Sequence, residues 1–164
     1  MTRISRRGLE GIDPSWDQLS IPLRVRFNEV DSMNVVWHGH YVAYCETARE
    51  VYLGARGLSY QAMELHDCPA PVVRMQLDYL RPARSGEELQ VTCAQIPGGE
   101  PKLECRYEVR NGAGELCCIA NSLQLFVDAT GLPYLTPPPP VAQLFSAIAA
   151  ARAARPAANP DAGP

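Results

Sequence analysis

The sequence has no apolar run long enough to cross a bilayer, no excess of basic charge and no Cys-x-x-Cys pair. A spanning helix needs about 20 consecutive apolar residues, so a membrane segment is not expected. With 15 Lys and Arg against 18 Asp and Glu, the net charge is −3, and no basic field is present to hold a nucleic-acid backbone. The six cysteines lack zinc or redox spacing. Cys93, Cys105, Cys117 and Cys118 fall in strand-like runs, where a thiol is small apolar filler. His38 and His40 share a His-x-His spacing, but no clear further ligand joins them and Asp31, so no metal is expected. Arg3, Arg6 and Arg7 are not followed by an apolar leader core, and residues 8–18 are too polar to complete a twin-arginine signal. These absences point to a reduced, cytoplasmic protein without a cofactor. There is also no Gly-x-Ser-x-Gly motif, so a Ser-His-Asp site is unsupported.

What is present reads as one domain of 164 residues. Residues 1–20 are polar and are expected to form an N-terminal arm, with Trp16 pinning it. Leu23, Val25 and Phe27 alternate with polar residues, as a half-buried strand does. From His40 to Ala55 the period changes: Tyr41, Tyr44, Cys45, Ala48, Val51, Tyr52 and Ala55 recur at three and four, predicting a long helix that stops near Gly57. Glu46, Arg49 and Glu50 fall on another face, where Arg49 pairs with Glu46 one turn back. Ser59 is placed to cap a short helix through Leu65. Alternation then predicts strands around 73–79, 89–96, 103–110 and 116–127, the last apolar on both faces as an interior strand is. Short links imply an antiparallel sheet of about five strands wrapped around one long central helix, an α+β fold. The domain is expected over 21–135. A Pro-rich spacer and a surface helix follow over 136–155, then a disordered tail over 156–164.

The chemistry concentrates between Phe27 and Arg49. Asp31 sits in a bend, and a helix N-terminus follows near Gly39 and Tyr41. A carboxylate is ionised near neutral pH and can act as base or nucleophile. The free amides of a first helical turn can hold an oxygen that becomes negative. Asn34 tolerates positive φ, which suits a sharp reversal there. Aspartate is also common in bends for purely structural reasons. Glu29, two residues before Asp31, would share its side of an extended chain and is the competing acid.

The pattern Phe27-x-Glu29-x-Asp31-x-x-Asn34-Val35-Val36-Trp37-His38-x-x-Tyr41-x-x-Tyr44-x-Glu46-x-Ala48-Arg49 resembles the 4-hydroxybenzoyl-CoA thioesterase family, in its branch of short bacterial acyl-CoA thioesterases. Tyr79-Leu80-Arg81-Pro82-Ala83-Arg84-Ser85-Gly86-Glu87 resembles the same family's second strand and turn. The resemblance implies the hotdog fold, hydrolysis of an acyl-CoA or acyl-carrier thioester, and a homodimer or homotetramer with each site built across two subunits. It places Asp31 as general base or nucleophile, an amide at the start of the long helix near His38 as the group that polarises the carbonyl, and the His38 side chain in the site; the helix terminus read at Gly39 supplies the candidate oxyanion donor. Trp37 then lines the acyl pocket or closes the core. Tyr41 lies at the helix start, where its side chain follows the apolar stripe. Arg81 and Arg84 flank Pro82 and are candidates for the CoA phosphates, against the ordinary reading of solvated turn arginines. The family usually has glycine where Asn34 stands, which leaves the shape of the bend to be determined.

Two other readings remain open. One is a hotdog enzyme that adds or removes water across an acyl-CoA double bond, although 38–47 lacks the histidine motif of such enzymes. The other is a non-catalytic acyl-CoA or acyl-carrier binding module, which leaves the acid at Asp31 without a task.

Overall fold

The computed structural model describes residues 10–98 and 101–154. In chain order these form β1 (Gln18–Arg24), α1 (His40–Ala55), α2 (Tyr60–Leu65), β2 (Val72–Tyr79), β3 (Glu88–Gln95), β4 (Lys102–Asn111), β5 (Leu116–Leu125) and α3 (Pro139–Ala153). The strands make one antiparallel sheet in the order β1-β3-β4-β5-β2, with α1 packed mainly against β3 and β1. This is the hotdog arrangement of a sheet around a central helix. Among the described residues no helix is long and apolar enough to cross a membrane.

The 3.6-residue period set the bounds of α1 correctly, but its buried face is rotated from the expected stripe. Tyr41, Tyr44, Cys45, Ala48, Tyr52 and Leu53 are buried, whereas Val51 is exposed. Arg49, expected on the polar face, is buried too. Its guanidinium reaches Glu46 Oε1 at 3.0 Å and the hydroxyls of Tyr60 and Tyr107 at 3.2–3.4 Å, so the charge is taken inside with hydrogen bonds on every side. Ser59 caps α2 as predicted, its hydroxyl accepting from the Ala62 amide. The six cysteines are free and buried. Burial pushes the Cys118 thiol up to about 12 and the Cys45 thiol higher still, so both stay protonated and poor nucleophiles.

Four further expectations are corrected. The first strand begins at Gln18, inside the stretch expected to be an arm, and ends at Arg24. Phe27 is not a core residue of that strand: it is 87% exposed. The Glu29 carboxylate accepts the Arg26 amide at 2.7 Å and winds residues 27–29 into a single 3-10 turn that faces Phe27 outward. The link after β2 is not a hairpin. Residues 80–87 carry the chain from the sheet edge across to β3, which lies between β1 and β4. Finally, α3 is not a surface helix behind a proline spacer. Pro139 and Pro140 are its first residues, where a missing N–H costs nothing, and Val141, Leu144 and Ile148 are buried in the core. The expected tail at 156–164 lies outside the described residues.

The start of β1 is fixed by a buried acid. Asp17 is 2% exposed and accepts from Tyr52 Oη at 2.8 Å and from the Arg56 guanidinium at 2.6 and 2.7 Å. Removing one member of a buried pair leaves an uncompensated charge, so Asp17→Ala is expected to cost about 3–5 kcal/mol of stability. Urea unfolding measures this; a loss within the scatter of surface substitutions would show that Arg56 simply turns out to solvent.

Candidate active site

The stretch before α1 is a miniature hairpin. Val30 and Val36 bridge antiparallel, the Asp31 amide donates to the Val35 carbonyl, and the Trp37 amide donates to the Glu29 carbonyl, both at 2.9 Å. Its loop closes with the Asn34 amide on the Asp31 carbonyl at 2.9 Å and with Asn34 at φ 57°. That is a tight turn followed by one left-handed residue, a common short hairpin connection. Asparagine here supplies the conformation that glycine supplies more cheaply, so the departure from the family pattern leaves a sharp bend in place.

Asp31 contributes twice to this loop. Its backbone closes the hairpin, and its Oδ1 accepts the Met33 amide at 2.8 Å. Oδ2 has no partner among the described residues. The side chain is therefore aimed by its own loop while one oxygen stays available. Glu29, the competing acid, is occupied: one carboxylate oxygen accepts both the Arg26 amide and the Tyr44 hydroxyl. Because residues 27–29 are wound rather than extended, Glu29 does not share Asp31's side of the chain by strand alternation.

At the other end of the hairpin, Gly39 precedes α1 with φ −65° and ψ −27°. The His40 amide is spent on the Trp37 carbonyl at 2.9 Å, whereas the amides of Gly39 and Tyr41 have no acceptor among the described residues. The indole of Trp37 lies directly over Gly39: an added Cβ would sit 2.0 Å from a ring carbon. Trp37 is half-exposed, and its ring meets His38 at 4.7 Å and His40 at 5.7 Å between centroids. His38 is exposed, lying between Trp37 and Tyr79, whose ring centroid is 6.3 Å away.

The Tyr41 side chain belongs to the core. It is 3% exposed, and burial pushes its hydroxyl up to about 12, so only its amide faces the helix start. Of the two turn arginines, Arg81 pairs with Glu115 at 3.6 Å, while Arg84 is exposed and without a partner among the described residues. Tyr79, which the sequence does not mark as a site candidate, lies against His38. Its hydroxyl donates to the His38 carbonyl at 3.0 Å, and its ring packs edge-on to Tyr41. The one signal for it was its place at the head of the Tyr79–Glu87 motif.

Among the described residues no group of three or more His, Cys, Asp or Glu side chains is placed to hold a metal ion. A groove of about 820 Å³ runs along α1 past Arg24, Arg26, Tyr44 and Thr47. A more apolar one, about 660 Å³, passes Tyr60 and Met63 of α2. Neither includes Asp31, His38 or Gly39, so in one chain these three candidates lie outside both grooves.

Residues 25–151 match the thioesterase-like superfamily over most of the chain. The chain belongs to that superfamily. As a member it is a thioesterase-type enzyme. It is 31% identical over 106 residues to YneP of Bacillus subtilis (strain 168), a candidate acyl-CoA thioesterase, covering 65% of this chain and 77% of that one. Among solved structures, a thioesterase from Thermus thermophilus complexed with coenzyme A and Zn superposes with a TM-score of 0.69 at 26% identity, covering 84% of this chain and 95% of that one. A DHNA-CoA thioesterase from Staphylococcus aureus superposes with a TM-score of 0.68 at 25% identity, covering 72% and 80%.

The Gly39–Trp37 contact gives this superfamily member a direct test. Gly39→Ala forces the indole off the helix start, since a Cβ at 2.0 Å is well inside van der Waals contact. With two tryptophans in the chain, the emission of Trp37 is isolated by difference against Trp37→Phe. A shift of that component toward longer wavelength is expected; an unchanged component would place the ring elsewhere.

Proposed function

We propose that the protein hydrolyses an acyl-CoA thioester, with Asp31 as general base or nucleophile and the Gly39 amide as the donor that receives the carbonyl oxygen. Support comes from one pairing of free groups: the Asp31 Oδ2 at the tip of a fixed turn and the unpartnered amide of Gly39 at the start of α1. In the base route, Asp31 takes a proton from water as its oxygen bonds to the carbonyl carbon. The oxyanion is held by the amide, the C–S bond breaks, and the proton passes to the departing CoA thiolate. In the nucleophile route, the Asp31 carboxylate attacks the carbonyl carbon, the C–S bond breaks to expel CoA thiolate, and water cleaves the resulting anhydride to the free acid and the Asp31 carboxylate, its proton passing to the thiolate. His38, exposed beside the helix start, orients the water or the leaving sulfur.

The two groups belong to different subunits of one homo-oligomeric site. Asp31 lies two positions from the Glu29–Trp37 pair toward the hairpin tip, roughly 7 Å, and Gly39 lies two positions from it on the helix side. The proposed site takes the carboxylate from one copy and the helix terminus from another, in a homodimer or homotetramer. The edge strand β2 favours such an assembly. It exposes Val72, Val73 and Tyr79, and an open apolar edge is a template for pairing with another chain. Arg84, without a partner among the described residues, is a cation for CoA phosphate, with Arg81 released from Glu115 as the second.

The test is thiol release from acyl-CoAs of graded length and aromaticity. The six cysteines are buried, which leaves the assay background low. Asp31→Asn is expected to lower kcat/KM by about a hundredfold or more. Full activity in the variant would remove the mechanism, and loss of substrate without thiol release would turn the reading toward double-bond hydration.

A further inference from the structure

The hydrogen bond from Tyr79 to the His38 carbonyl does more than join β2 to the segment before α1. His38 C=O and Gly39 N–H belong to the same peptide unit. That unit is planar and trans, so the two groups point in opposite directions. Whatever grips the carbonyl also aims the amide. The His38 carbonyl stands outside the helical ladder: the Val42 amide bonds to Gly39, at 3.3 Å, not to His38. Tyr79 Oη, at 3.0 Å, is its donor among the described residues. Burial raises the Tyr79 hydroxyl above its ordinary value, which keeps it a donor at neutral pH. On the Gly39 side, the Trp37 indole covers the Cα and leaves no room for a side chain. The peptide is thus held from the carbonyl side by Tyr79 and over the following Cα by Trp37, with its N–H unpartnered.

We infer that Tyr79 is a positioning residue for thioester hydrolysis: it orients the His38–Gly39 peptide so that the Gly39 amide meets the thioester oxygen. The inference rests on the function proposed above. Tyr79 need not touch the substrate, since its effect passes through one rigid peptide plane. Without the hydroxyl the plane can rock, and the amide's donor direction is no longer set before the substrate arrives. Tyr79→Phe removes that one atom and keeps the ring contacts with His38 and Tyr41.

Two readouts separate this role from a merely structural one. In turnover of benzoyl-CoA and hexanoyl-CoA, Tyr79→Phe is expected to lower kcat by roughly ten- to a hundredfold while KM stays within about threefold, as misdirection of one oxyanion donor does. The second readout is the infrared carbonyl stretch of benzoyl-CoA, labelled with carbon-13 at the thioester carbon and bound to the Asp31→Asn protein. Binding is expected to lower the stretch frequency, and Asp31→Asn/Tyr79→Phe is expected to lose most of that lowering. An equal lowering with and without the Tyr79 hydroxyl, or a kcat unchanged in Tyr79→Phe, would overturn the inference alone. No lowering in the Asp31→Asn protein itself, or no turnover by the wild type, would overturn the underlying function as well.

Discussion

The pairing of residues 29–31 with residues 35–37 is the constraint on which the site depends. Two backbone hydrogen bonds of 2.9 Å fix both strands of the small hairpin, and Asn34 at φ 57° turns the chain between them. Asp31 cannot move without opening that loop, because its amide, carbonyl and Oδ1 are all engaged in it. Helix α1 cannot start elsewhere, because Trp37 is tied back to Glu29. Glu29 in turn is anchored to the first turns of α1 through the Tyr44 hydroxyl at 2.8 Å. The acid that competes with Asp31 in the sequence is the anchor of the loop that presents Asp31.

The rest of the fold braces this hairpin. The crossing at 80–87 offers the Ala83 carbonyl to the Val36 amide at 2.8 Å, and its last residues pair with Val25. Tyr79, at the end of β2, holds the next carbonyl along, that of His38. The strand edge, the crossing and the helix start therefore meet at one point, and the sheet order that makes the crossing necessary also supplies the support. Beneath it the core carries a chain of satisfied polar groups, from Arg49 through Tyr107 to Ser122. Such a chain keeps a buried charge tolerable and fixes how α1 lies on the sheet.

Much of this was legible in the residues because it is local. The bounds of α1 and the cap of α2 follow from periodicity and from Ser59, and the alternation around 103–110 marks β4. Asp31, His38 and Gly39 stood out because a recognisable pattern gathers them within nine residues. What escaped depends on contacts distant in sequence or on one side chain. Phe27 continues the alternation of the first strand, and the 3-10 turn that the Glu29 amide and side chain close on Arg26 turns it outward. Arg49 looks like a polar-face residue until Tyr60 and Tyr107 arrive from elsewhere to receive it. The alanine-rich α3 shows no strong stripe, yet it closes the core with Val141, Leu144 and Ile148. Tyr79 read as one more strand residue because its partner carbonyl lies 41 positions earlier.

A site shared between two copies is tested most directly by mixing two disabled proteins. One is Asp31→Asn, which lacks the base. The other is Gly39→Pro, which removes the amide donor at a position whose φ of −65° suits proline, and which also displaces the Trp37 indole of that copy. Unfolded together and refolded, they form mixed pairs in which one site combines the intact carboxylate of one copy with the intact amide of the other. Thioester hydrolysis is then expected to return to about a quarter of the wild-type rate, the share that random pairing gives in a two-fold assembly. Mixed oligomers that form, as seen by mass spectrometry, and yet stay as inactive as their parents would contradict the account.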